Sequence, residues 1–378
     1  MNVLLLIGGF DGVTYHRLAA PFIKMAREGK INLHVEVNMP QRANEGQLKT
    51  LPSHLLSEVY DYDEKGNKLN DKHYRIDPIH LIKESILDDI DVCVFNRNIS
   101  PTLKPEFAFE VLRKHGIKVV CDMDDSPKVG RKHILSVSHR KMNMDSCILM
   151  NCLQSDVIFH TTPQLKKEIS DFLKVPKRYV HPKNAIDLED PQWANYNGKK
   201  EDGLFGWAGG VTHYEDLKIL AQGYNLSSKP KLRIGGYKDG DREWDRIGKL
   251  FEGNEVEFDA PKRIHKYAEL LYDLDVVLAP LKDSRFNRCK SELKMLEAAA
   301  LNKSVIVSGV EPYTNLADNG VNCIVAQNTP KSWAYSIDLM KNKPEMKDRL
   351  AERLREDVDK RYNLDNENEK RLKALNEL

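Results

Sequence analysis

Twice along the chain a short apolar run ends in two glycines and gives way at once to a helical pattern. Asn2 to Ile7 leads into Gly8-Gly9, and Leu204 to Ala208 leads into Gly209-Gly210. Runs this short, apolar at successive positions, read as strands covered on both faces. A strand, a glycine turn and a helix form the opening unit of a doubly wound parallel sheet. Two such openings in 378 residues predict an α/β chain of two Rossmann-like domains facing each other across a cleft. In such sheets ligands bind at the carboxyl ends of the strands.

The pattern between the openings agrees. Strands are predicted at Asn32 to Val37, Asp91 to Phe95, Ile117 to Cys121 and Asp156 to His160, with helical spacing between them. Residues 185–203 are polar, contain Pro191 and Gly198, and carry no apolar period, so they read as a linker between domains 1–184 and 204–345. Further strands are predicted at Lys231 to Ile234, Val256 to Phe258, Asp275 to Ala279, Ser304 to Val307 and Cys323 to Ala326. Residues 346–378 are expected to form helices packing back across the domains.

Lys and Arg total 58 against 57 Asp and Glu, which excludes a globally basic nucleic-acid coat. No apolar run reaches the length of a membrane span. Met1-Asn2 runs straight into a strand with no basic leader. The six cysteines include no C-x-x-C pair and lie mostly in apolar segments, reading as reduced core residues. A cytoplasmic location without a bound metal is the expectation.

The segment Ala279 to Val310 carries the most chemistry. A strand ends at Ala279-Pro280, and a helix is expected from Asn287 or Ser291 to Leu301, with Asn287 as its cap. Lys290, Lys294 and Glu297, spaced 4 and 3 apart, would share one helical face. Two lysines beside a helix N-terminus suit a phosphate or diphosphate. Taken alone, the same spacing also describes a solvated face of ordinary ion pairs.

The segment Glu297-Ala298-Ala299-Ala300-Leu301-Asn302-Lys303-Ser304-Val305-Ile306 resembles the C-terminal domain of retaining GT-B glycosyltransferases, family 4-like, from the second Glu of their Glu-(seven residues)-Glu motif onward. Asp318-Asn319-Gly320-Val321-Asn322 resembles a later turn of that family, and Gly206-Trp207-Ala208-Gly209-Gly210-Val211-Thr212-His213 with Asp216-Leu217 resembles one sub-branch. The first Glu of the motif falls on Cys289. The resemblance implies a GT-B fold, a UDP- or GDP-sugar as co-substrate and no permanently bound cofactor. It implies a donor site built from Gly209, Gly210, Thr212, His213, Asn287, Lys290, Ser291, Lys294 and Glu297, with the lysines at the diphosphate and Glu297 at the ribose.

On the N-terminal side, Gly8-Gly9-x-x-Gly12 lacks the dinucleotide pattern and suits close backbone approach to a ligand. Tyr15-His16-Arg17-Leu18 with Pro21 resembles the start of the same sub-branch, placing Gly9, Tyr15 and Arg17 on the acceptor side. Asp122-Met123-Asp124-Asp125 closes a strand. It reads either as the D-x-D metal site of the other glycosyltransferase fold or as carboxylates facing an acceptor; Asp124 and Asp125 are the expected catalytic pair. From Ser126 to Met144 there is no acid, while Lys128, Arg131, Lys132, Arg140 and Lys141 are basic and His133 and His139 could add charge. Arg131, Lys132 and His133 are therefore acceptor-side candidates for an anionic partner.

The expected activity is sugar transfer from a nucleotide-diphosphate donor to a hydroxyl, with retention. The acceptor would be a saccharide or glycoconjugate, or a hydroxymethylated base of duplex DNA as in phage enzymes that decorate their own genomes. The rival reading is a non-catalytic nucleotide-sugar-binding or scaffold protein of the same fold, for which Cys289 in place of Glu is the evidence.

Overall fold

The computed structural model describes residues 1–62, 68–131 and 133–378. Its strands are β1 (Asn2–Ile7), β2 (Asn32–Val37), β3 (Gln41–Arg42), β4 (Ser57–Tyr62), β5 (Lys68–Ile76), β6 (Val92–Asn96), β7 (Lys118–Met123), β8 (Val157–His160) and β9 (Arg178–Val180), then β10 (Leu204–Ala208), β11 (Lys231–Gly235), β12 (Val256–Asp259), β13 (Val276–Ala279), β14 (Ser304–Ser308) and β15 (Ile324–Ala326). They form two six-stranded sheets, ordered β2-β1-β6-β7-β8-β9 and β12-β11-β10-β13-β14-β15, and a small sheet β3-β5-β4. Every pairing in the two large sheets is parallel.

In both large sheets the strand order reverses next to the opening strand, between β1 and β6 and between β10 and β13. The two glycine pairs therefore stand at the switch points, where the crossovers leave to opposite faces and a crevice opens. The opening strands are apolar at every position because both faces are covered. Val3, Leu5 and Ile7 enter one core and Leu4 and Leu6 the other. Phe205 and Trp207 are likewise parted from Leu204 and Ala208. Each fully buried Leu or Val here contributes about 1.5–3 kcal/mol.

The helix Pro344–Arg361 lies on the C-terminal sheet, with Leu354 and Val358 in its core. The chain then crosses back. In the helix Leu364–Asn376, Leu372, Ala374 and Leu375 join the N-terminal core that contains Leu18 and Phe22. Asn363 caps that helix, and Asn368 Nδ2 donates to the Pro21 carbonyl at 3.2 Å.

Two elements escaped the sequence reading. β9 has only three residues. The small sheet is antiparallel, and its strands mix charged and apolar residues without a clean apolar face. The predicted helix after β13 also differs from expectation. It is broken into Arg285–Arg288, capped by Ser284, and Leu293–Ala300. Lys290 and Ser291 lie in the break, off the helical face shared by Lys294 and Glu297. Asn302 takes the left-handed conformation, φ +49°, that ends the second piece.

Candidate functional site

The carboxyl ends of the two sheets face each other. Between them lies a cavity of about 290 Å3, walled by Lys128–Gly130, His133, Ile134 and Phe172 on the N-terminal side and by Thr212–Asp216, Lys282, Ser284–Asn287 and Lys290 on the other. Of the sequence-predicted residues, Thr212, His213, Asn287, Lys290, and His133 line it.

β7 delivers the acidic cluster. Asp122 is fully buried and pairs with Arg17 through both carboxylate oxygens, each at 2.8 Å. Asp124 Oδ1 accepts from Asn96 Nδ2 at 3.1 Å. Asp125 crosses the cleft, and both its oxygens lie 3.1 Å from Lys290 Nζ. The two neighbouring acids are driven apart. Burial and the nearby Asp125 push Asp124 up, whereas for Asp125 the cost of burial is outweighed by Lys290 and Arg97, which hold its carboxyl below the ordinary range. Such splitting gives one carboxyl inclined to hold a proton and one held ionised.

Lys290 stands just before the helix Leu293–Ala300, whose N-cap residue Glu292 makes no side-chain cap. Its ammonium also lies 4.9 Å from the Phe286 ring centre, and His133 packs against the same ring at 5.1 Å. Asn287, placed by the Ser284 cap, donates to Asp216 Oδ1 at 3.1 Å. Asp216 Oδ2 meets His213 Nδ1 at 2.8 Å, and its Oδ1 also accepts from the Lys282 amide at 2.7 Å. The buried Asp216 thus fixes the β10 loop to the β13 loop.

Lys294 and Glu297 lie behind this cavity. Glu297 Oε2 accepts from Lys294 Nζ at 2.8 Å and from the Tyr267 hydroxyl at 3.2 Å, and Lys294 also bonds that hydroxyl. Glu297 Oε1 is 3.8 Å from His16 Nε2 of the N-terminal domain. Burial opposes the charge on Lys294, but Glu297 and Tyr267 outweigh it and keep the ammonium protonated. Burial pushes His16 down to about 3, so the ring is neutral.

The glycines pack closely. A Cβ on Gly236, where φ is +94°, would stand 2.3 Å from the Gly209 carbonyl oxygen, and one on Gly209 would strike the Trp207 ring at 2.6 Å. Gly210 is exposed at the switch point, and Gly9 opens onto space with nothing within 4 Å of a Cβ.

Tyr15 and Arg17 lie on a π-helical turn, Thr14–Ala19. Neither faces the cavity. The Tyr15 hydroxyl accepts from Trp193 Nε1 at 3.3 Å. Arg17 Nη1 donates to the Pro182 carbonyl at 2.9 Å and Asn184 Oδ1 at 3.0 Å, and Asn184 Nδ2 donates onward to Ser291 Oγ at 2.6 Å. With four hydrogen bonds made, the Arg17 guanidinium is occupied at the domain junction rather than offered to an acceptor. Arg131 is exposed and does not line the cavity, and Lys132 falls outside the described residues.

Cys289 is fully buried and packs into the N-terminal core, its carbonyl accepting from Thr162 Oγ1 at 3.2 Å. Burial pushes its thiol up to about 12, so it acts as an apolar plug between domains. Among the described residues no cluster of three or more His, Cys, Asp or Glu side chains is arranged to hold a metal, and no helix is long and apolar enough to cross a membrane.

Sequence reasoning missed Arg97, Glu168, Arg285 and Tyr267. Arg285 Nε pairs with Glu168 Oε2 at 2.8 Å across the cleft, 117 residues apart in sequence, so no local spacing marks it. Asp216 did carry a signal, standing three residues after His213 in the segment already singled out.

No family model and no curated protein sequence matches the chain. Solved structures do. The Anabaena protein HepE, in complex with UDP and glucose, superposes with TM-score 0.64 at 12% identity over 99% of both chains. Sucrose-phosphate synthase from Thermosynechococcus elongatus gives 0.67 at 11% identity, over 100% of this chain and 98% of the other. S. aureus TarM, in complex with fondaparinux, α-GlcNAc-glycerol and UDP, gives 0.64 at 11% identity over 99% of both. The fold is GT-B, two Rossmann-like domains across a cleft, and these neighbours are glycosyltransferases.

Proposed function

We propose that the protein transfers a sugar, with retention, from a nucleotide-diphosphate donor to a hydroxyl acceptor held between the two sheets. The observation that carries this reading is Lys290: an ammonium just before the helix Leu293–Ala300, lining a cavity between switch points and paired with a carboxylate from the opposite domain. A donor diphosphate offers that ammonium more charge than one carboxylate does. Fixed positive groups at the leaving phosphate stabilise the charge that grows as the bond from the sugar anomeric carbon breaks. Asn287, Thr212 and His213 line the same wall and supply further donors.

The acceptor hydroxyl would enter past Lys128–Gly130 and His133 and meet Asp125, the carboxyl of the acidic pair that is held ionised and so open to its proton. For retention, the new bond forms from that oxygen to the anomeric carbon on the face from which the nucleoside diphosphate leaves, as the sugar–phosphate bond breaks and the hydroxyl proton passes to Asp125. In this reading Lys294 and Glu297 support the donor wall from behind, since their charged groups bond each other and Tyr267. UDP is the first nucleotide to test, because HepE and TarM are both seen with it. The acceptor is a saccharide or glycoconjugate.

A DNA-base acceptor is a second reading. Its support is that Lys128, Arg131, Arg140 and Lys141 make no ion pair among the described residues.

The test is a thermal-shift screen of UDP- and GDP-sugars followed by donor hydrolysis without added acceptor. A ligand that binds only the folded state raises the midpoint. Binding without hydrolysis would favour the non-catalytic rival, and absence of both would overturn the donor reading.

A further inference from the structure

Arg97 follows β6 in the left-handed conformation, φ +55°, a strained setting for a residue other than glycine. Its amide donates to the Asp122 carbonyl at 3.0 Å, so the backbone is tied to the adjacent strand β7. Asn96 beside it donates to that same carbonyl at 3.1 Å and to Asp124. The Arg97 charge acts on both Asp124 and Asp125 and favours the ionised form of each. Among the described residues its half-buried guanidinium makes no hydrogen bond and no ion pair within 4.0 Å. An unengaged arginine next to two carboxylates, held by strained backbone, asks for a purpose.

Asp125 supplies one. It occupies Lys290 with both oxygens. A diphosphate arriving at Lys290 would place its charge against Asp125 and Asp124, and like charges at this separation repel strongly. The carboxylate must then leave Lys290, and it must find another cation or take up a proton. The groups facing Asp125 are Lys290, Cys289 and His213 from the C-terminal side and Arg97, Asp124 and His133 from the N-terminal side. His133 is held toward its neutral form by burial and by Lys290, and His213 is engaged with Asp216. Arg97 alone in this set is an unengaged permanent cation.

We propose that Arg97 is a positioning residue for Asp125: it receives the carboxylate when the donor diphosphate takes Lys290, and so keeps Asp125 ionised beside the bound donor. The inference rests on the diphosphate reading of Lys290. It makes Asp125 the partner of Lys290 before the donor binds and an ionised carboxylate against Arg97 afterwards. The relay passes one negative charge from the C-terminal cation to the N-terminal one as the donor binds.

The experiment is titration calorimetry with UDP at about pH 5.5, in two buffers of different ionisation enthalpy, so that proton uptake is read beside affinity. Wild type should bind UDP with little uptake. Arg97→Asn, which keeps a residue tolerant of the left-handed backbone, should bind UDP with near wild-type affinity but take up a substantial fraction of a proton, because Asp125 has no cation to move to. Arg97→Lys should return uptake toward wild type. Asp125→Asn should bind UDP at least about threefold tighter, since the internal competitor for Lys290 is gone. If wild type binds UDP but Asp125→Asn gains nothing, or Arg97→Asn takes up no more protons than wild type, the relay is wrong and the donor reading stands. If Arg97→Asn loses UDP as severely as Lys290→Ala, Arg97 is a phosphate ligand and the relay is wrong. If wild type binds no UDP and no GDP, the donor reading falls and takes the relay with it. Should Arg97→Asn not fold, the Arg97→Lys and Asp125→Asn measurements decide.

Discussion

Arg17 and Asp122 face each other edge to edge, Nε to Oδ1 and Nη2 to Oδ2 both at 2.8 Å, with side chains 1% and 0% exposed. The pair joins the first helical turn of the chain to the end of β7, 105 residues later, and through Asn184 reaches Ser291 of the other domain. Asp122 is thus spent on architecture, although sequence places it in a motif that resembles a metal site.

Breaking that pair should cost stability before it costs chemistry. Arg17→Ala leaves a buried carboxylate without its partner, which typically costs about 3–5 kcal/mol. Arg17→Lys should recover only part, because an ammonium cannot make the two-pronged contact. Urea midpoints check both, and a wild-type midpoint for Arg17→Ala would show that the junction does not depend on this pair.

Lys290→Ala should weaken UDP binding roughly tenfold, in keeping with about 1.5–3 kcal/mol for a hydrogen bond to a charged group less the competition lost from Asp125. Glu297→Gln should act differently. It loosens Lys294 and Tyr267 and should lower both the thermal midpoint and UDP affinity. Calorimetry and melting together separate the two, and unchanged UDP affinity in Lys290→Ala would refute the phosphate assignment.

Removing divalent metal should leave UDP affinity unchanged. Asp122 is held by Arg17, and the Asp124 and Asp125 carboxylates by Asn96 and Lys290, so the acidic run is already engaged. Titration in EDTA and again with manganese checks this. A loss in EDTA that manganese restores would place a metal at the acidic cluster after all.

Stability should fall as pH drops below 6.5. Burial pushes His16 and His160 down from 6.5 to about 3 in the folded chain. The folded state therefore favours their neutral forms, and that stabilisation is complete above 6.5 and lost as pH falls toward 3. Each ring contributes a slope of about 1.4 kcal/mol per pH unit in that window. Between pH 6.5 and about 4.5 most carboxylates are still ionised, so the histidines dominate. His16→Gln should flatten the curve of urea midpoint against pH by one ring's share; an unchanged slope would mean His16 is not held neutral.

If the acceptor is a saccharide, the protein should show no salt-sensitive affinity for duplex DNA. A DNA acceptor would instead give log affinity that falls with log salt by about 0.9 per phosphate contact. Neutralising Arg131, Lys132, Arg140 and Lys141 together would then flatten that line while leaving UDP binding intact.

The sheets were legible in the sequence because their central strands carry continuous apolar runs, a pattern that double coverage explains. Asn302 as the end of a helix was legible for a similar reason, since few residues accept φ +49°. The break at Cys289 to Glu292 was not. Helical spacing continues through it, and what interrupts it is tertiary: Cys289 is drawn into the opposite core and Ser291 toward Asn184. Arg17 was misplaced for the same reason. A lone arginine in an amphipathic turn reads as exposed unless its partner is visible, and Asp122 lies far along the chain. Lys294 and Glu297 read correctly as neighbours, but spacing cannot say whether such a pair faces a ligand or Tyr267.

The helix Leu364–Asn376 has a consequence for how the molecule comes into being. Leu372, Ala374 and Leu375 complete the core begun by Val3 and Leu5. The first-made domain therefore cannot complete its core until residues 372–375, which follow the whole second domain, have been made. It must wait, partly open, through synthesis of the whole second domain. A nascent chain halted after β9 should be cut readily by protease, whereas the released protein should resist, so the order of manufacture and the order of completion run in opposite directions along the polypeptide.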